Sequence, residues 1–234
     1  MAASSDSRLG PLVHRAVHHG ATLWLVGALL LVVAMVVVQL GWSGPPAYSL
    51  KSNYISDLGN TGCGPWPSST SARVCSPWHD LFNGAIIVLG VFVPFGAILC
   101  RTAFPKRRSS AVGLGLIAIA GIGALLVGFS PENVNLTVHE TGAGLAFVLG
   151  NLALIVLGFA MFRDTRWDGY RAYSLFSGLI GLIAVVLFET HTYLALGLGG
   201  MERLAVAPLL LWLLVAPIHL LRIPQYAPHA LPHP

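Results

Sequence analysis

Charge is what this sequence has least of. Only 9% of its 234 residues are Asp, Glu, Lys or Arg, where an average soluble domain carries about 25%. That scarcity excludes an ordinary soluble domain. The basic residues form no long run and lie beside apolar stretches, so the net charge of +4 points to a membrane surface and not to nucleic acid. No Walker sequence occurs, and no Gly-x-Gly-x-x-Gly is joined to a strand, which excludes the common nucleotide sites. There is no HExxH and no CxxC, the most direct local signatures of zinc.

Hydrophobic residues make up 55% of the chain. A membrane-spanning helix needs about 20 mostly apolar residues. Six such stretches are predicted, at 21–41, 81–100, 111–129, 140–162, 172–190 and 204–222. The fold class is therefore all-α, a polytopic membrane protein with six transmembrane helices. Residues 1–222 are read as a single domain with a loop cap over 43–78, and 223–234 as a disordered Pro-rich tail. The first span is too long for a typical signal-peptide core and is read as retained.

Basic residues set the expected direction. Ten of them, including Arg15, Arg101, Lys106, Arg163 and Arg222, fall on the side of both termini. Only Lys51, Arg73 and Arg203 fall on the other. Both termini are expected to be cytoplasmic, in a multi-pass plasma-membrane protein. The acids sort oppositely: Asp57, Asp80, Glu132, Glu140, Glu189 and Glu202 are outer. Asp80 and Glu140 open helices, where the dipole favours a carboxylate. Glu189 closes one, where it does not.

Two helix openings read alike. Residues 79–90 (HDLFNGAIIVLG) and 139–150 (HETGAGLAFVLG) both fit H-[DE]-x-x-x-G-x-x-x-V-L-G, sixty residues apart. The hairpins 81–129 and 140–190 are candidates for a duplicated unit. Ionisable groups at membrane-helix ends are costly and often functional. His79, His139 and His191 are candidate metal ligands, zinc being the candidate cofactor, with Asp57, His139 and Glu140 as candidate catalytic groups. The competing reading is histidines that bond loop backbone. Asn83 shares a helix face with His79 and suits an interhelical hydrogen bond. Arg203 suits either an ion-pair latch with Asp57 or Glu189, or a bound phosphate or carboxylate. Cys63 and Cys75 share one loop and pair as a disulfide if it faces an oxidising compartment; otherwise they stay thiols.

Several blocks fall in a telling order: YSLKSNYISDLG (48–59), Asn83, GFSPE (128–132), His139 and GGMERL (199–204). Together they resemble the bacterial family catalogued as domain of unknown function 998, over about residues 20–215. The resemblance implies six membrane helices and no established activity. The matching positions are Ser56, Asp57, Gly59, Asn83, Pro131, His139, Glu202 and Arg203. A second likeness is to the membrane hydrolases that include alkaline ceramidases and the adiponectin-receptor group. Those hold zinc on three histidines within seven helices; this chain has six spans and lacks their close histidine pair on the last helix.

The expected function is binding or handling an amphiphile, a membrane lipid, at an outer-facing polar pocket. Ser56, Asp57, Asn83, His139, Glu202 and Arg203 are its candidate ligand-binding residues. The alternatives are a metal-dependent hydrolase of a lipid amide or ester, and a non-catalytic membrane subunit.

Overall fold

The computed structural model describes residues 6–43, 46–64 and 73–222. The tail 223–234 lies outside them. Helix α1 runs Asp6–Leu40, α2 His79–Cys100 and α3 Arg108–Phe129. Helix α4 (Leu136–Gly144) passes through a π-helical turn (Leu145–Leu149) into α5 (Gly150–Ala160). Helices α6 (Tyr170–Glu189) and α7 (Gly197–Arg222) complete the bundle. Six helical segments are long and apolar enough to cross a membrane. Many large apolar side chains point outward, as lipid-facing surfaces require: Leu29 and Val33 on α1, Phe176 and Ile180 on α6.

Two boundaries differ from expectation. Helix α1 begins at Asp6, not near 21, because hydropathy does not register a polar helical extension carrying His14, Arg15, His18 and His19. Helix α7 begins at Gly197, ahead of the predicted 204. Gly199 and Gly200 are weak helix formers. Tertiary contact overrides that here: the Gly199 amide donates to the Lys51 carbonyl, 3.0 Å away. An added Cβ at Gly199 would overlap the Asn53 carbonyl.

The helices close a ring. Helix α1 packs on α2 and α7, α3 on α2 and α5, and α6 on α5 and α7. Small residues bring backbones together, as expected in lipid. A Cβ at Gly142 of α4 would lie 2.6 Å from the Gly123 carbonyl oxygen of α3. At the centre Trp24 and Trp212 meet at 5.4 Å between ring centroids. Each indole finds a partner, Trp24 Nε1 the Val93 carbonyl at 3.0 Å and Trp212 Nε1 the Ser174 hydroxyl at 2.9 Å.

The π turn is held by one buried amide. Asn151 Nδ2 donates to the Phe147 carbonyl within its own helix at 2.8 Å and to the Ala205 carbonyl of α7 at 2.9 Å. Gly181 of α6 has no side chain there, which gives the amide room.

Between α1 and α2 the described chain around Asp57 dips into the bundle. A 3-10 turn, Ser56–Gly59, carries Asp57 and Leu58, both with 0% exposure. Cys63 and Cys75 form a disulfide, beside an antiparallel bridge between Gly64 and Val74.

Candidate functional site

The inserted turn is tied to the bundle at three points. Asn83 Nδ2 of α2 donates to the Gly59 carbonyl at 2.9 Å. Glu202 of α7 accepts from the Ile55 amide. Glu132, in the α3–α4 connection, accepts from Ser56 Oγ at 2.9 Å and from Asn60 Nδ2 at 2.7 Å. Asp57 sits in the middle. Its Oδ2 takes the Asn53 amide at 2.7 Å and the Tyr54 backbone amide at 3.1 Å.

Asp57 Oδ1 is buried and has no ordinary donor among the described residues. The Glu132 carboxyl is a hydrogen-bonding neighbour of the Asp57 carboxyl. Two adjacent buried carboxyls cannot both ionise cheaply. Burial, reinforced by the neighbouring Asp57 charge, pushes Glu132 up to about 8. Burial also raises Asp57, against the pull of its donors and of the Arg203 charge. Burial thus favours the protonated form of Glu132.

Arg203 is a latch, though not an ion-pair latch. Its Nη1 donates to the carbonyls of Leu50 at 3.2 Å, Asn53 at 2.9 Å and Gly199 at 2.7 Å. Its Nη2 donates to the Tyr48 hydroxyl, whose ring the guanidinium also overlies at 5.6 Å. The acceptors are two loop carbonyls, one carbonyl of α7 and a phenol, in place of the expected Asp57 or Glu189 carboxylate. The inserted loop exposes carbonyls that a helix would satisfy internally, and the fork of a guanidinium meets several at once.

Next to this cluster lies a cleft of about 550 Å³. Helix α6 packs along α5 and reaches the π turn, while α4 packs on α3. The cleft occupies the gap where α4 and α6 part. Ser56, Glu132, His139 and Glu202 line its polar floor, with Tyr54 beside them. Phe147, Val148, Val185 and Phe188 form its apolar wall. Gly144 also lines it, and a Cβ there would meet nothing within 4 Å. A smaller apolar cavity of about 110 Å³ inside the bundle shares Ser56, Phe147 and Glu202 with it.

Of the expected ligand-binding residues, Ser56, His139 and Glu202 line the cleft; Asp57, Asn83 and Arg203 brace the loop behind it. Glu140 lines the cleft. His139 directs Nδ1 to the Ser130 carbonyl at 3.0 Å, and His79 directs Nδ1 to the Ser76 carbonyl at 2.8 Å. A carbonyl only accepts, so each of these nitrogens carries the proton. His191 lies at the cleft mouth with φ 54 and contacts the Tyr193 hydroxyl through Nδ1 at 2.6 Å. His79, the third expected ligand, stands apart from the cleft against Asp80. Among the described residues no three His, Cys, Asp or Glu side chains are grouped to hold a metal ion. Glu132, Tyr54 and Tyr193 complete the site, and Glu132 had no local signal beyond its place in the GFSPE block.

The chain belongs to the family described as a protein of unknown function (DUF998), whose pattern matches residues 25–219. No curated protein and no solved structure matches it. The likeness to the zinc-dependent ceramidase and adiponectin-receptor group finds no support. The three histidines it would require do not form a group.

Proposed function

We propose that this membrane protein binds an amphiphile in the cleft between α4 and α6, with the head group on the polar floor and the chain along the apolar wall. The observation that carries the reading is the mixed lining: Glu132, His139 and Glu202 share one cleft with Phe147, Val148 and Val185. The gap lies between two membrane helices, and its lining residue Val148 is also exposed on the bundle surface. A volume of about 550 Å³ suits a small-molecule site. The inserted loop acts as the fixed base: Asp57, Asn83 and Arg203 hold Ser56 and Glu202 in place.

Gly144→Leu tests it. Gly144 lines the cleft and a Cβ there meets nothing within 4 Å, so the leucine has room to enter it. Mass spectrometry of extracts from the purified protein should find an amphiphile with the native chain and lose it with the variant, while thermal stability is kept. An equal yield of amphiphile from both proteins would overturn the reading.

A further inference from the structure

We infer that the head group taken by this cleft is a cation of the ammonium class. The inference rests on the amphiphile reading and deepens it. Four glutamates line the cleft, and no Lys or Arg is among its described lining residues. The nearby guanidinium, Arg203, is directed to backbone carbonyls and does not line the cleft. Glu202 and Glu132 are 6% and 3% exposed, so their oxygens face a site largely shielded from water. Glu140 and Glu189 are the exposed acids of the cleft, and an anionic head group would meet their charge.

A second feature points the same way. Tyr54, Phe188 and Tyr193 form a chain of rings along the cleft, with centroids 5.9 Å and 6.3 Å apart in successive pairs. Aromatic faces beside carboxylates are the chemistry that holds quaternary and protonated amines. Glu189 fits the same account. It sits at the C-terminal end of α6, where the helix dipole disfavours a carboxylate. A cation in the cleft would offset both that charge and the dipole.

The ammonium could be carried by a lipid or be free, and the test separates the two. The full chain, purified in a neutral maltoside detergent, is titrated calorimetrically with dodecyltrimethylammonium, dodecyl phosphate and tetramethylammonium. Dodecyltrimethylammonium should bind about tenfold or more tighter than dodecyl phosphate, the scale of one desolvated cation contact. Glu140→Gln combined with Glu189→Gln alters two exposed acids and should shrink that preference with folding intact. Gly144→Leu should abolish binding. Equal affinity for the cationic and anionic chains, both lost in Gly144→Leu, would overturn the cation inference and leave the amphiphile reading standing. Binding of neither chain, or binding unchanged in Gly144→Leu, would overturn the amphiphile reading itself. Tetramethylammonium binding as tightly as its dodecyl analogue would support the cation inference and overturn the amphiphile reading.

Discussion

Asn83 reaches the Gly59 carbonyl because residue 59 has no side chain. The amide nitrogen donates at 2.9 Å, and a Cβ on residue 59 would overlap Asn83 Oδ1. Gly59→Ala should therefore cost about 2 kcal/mol through overpacking. Asn83→Ala should cost about 1 kcal/mol through one lost hydrogen bond. The double variant should lose less than the sum, since the clash and the bond share a partner. Thermal unfolding of the three variants in detergent checks this; strict additivity would show that the two residues do not meet.

Arg203→Lys should destabilise almost as much as Arg203→Ala, on the order of 3 kcal/mol. An ammonium cannot replace a planar fork that serves three carbonyls and a tyrosine hydroxyl. The loop should become the first site of proteolysis. A lysine variant as stable as the native protein would contradict the latch.

The Glu132 proton predicts a pH dependence with a definite sign. The folded protein holds that proton up to about 8, whereas an ordinary glutamate releases it near 4.5. Between those values the folded state binds more protons than the unfolded state, so stability falls as pH rises. The contribution is complete below 4.5 and gone above about 8. Melting temperature should fall between pH 6 and pH 9, and Glu132→Gln should flatten the slope. An unchanged slope in that variant would assign the dependence elsewhere.

Reduction of the Cys63–Cys75 bridge should cost about 2 to 3 kcal/mol, the scale for closing a short loop. A reductant should lower the melting temperature of the native chain and leave Cys63→Ser/Cys75→Ser unaffected. Equal responses would place the reductant's effect outside the bridge.

The six spans were legible because the bilayer imposes a length and a composition that any one segment displays alone. Cys63 and Cys75 were legible as a pair because they share a loop. The loop's descent into the bundle was not. Asp57 and Glu132 are far apart in sequence and become a pair only when the 3-10 turn meets the α3–α4 connection. Arg203 stands out in the sequence as a cation beside an apolar span, but two of its carbonyl acceptors, Leu50 and Asn53, lie about 150 residues earlier in the chain. The three outer histidines looked equivalent by position along the membrane normal. Their separation depends on azimuth around the ring, which hydropathy does not record.

The π turn at Leu145–Leu149 fixes the facing of everything before it. A π turn holds about one residue more than an α turn, and one residue is about 100° of helical rotation. His139 and Glu140 are therefore rotated, relative to a straight continuation of α5, by more than a quarter turn. Their presence in the cleft is a matter of angular phase. A natural or engineered chain lacking one residue in this stretch would keep its hydropathy profile unchanged and present a different side of α4 to α6.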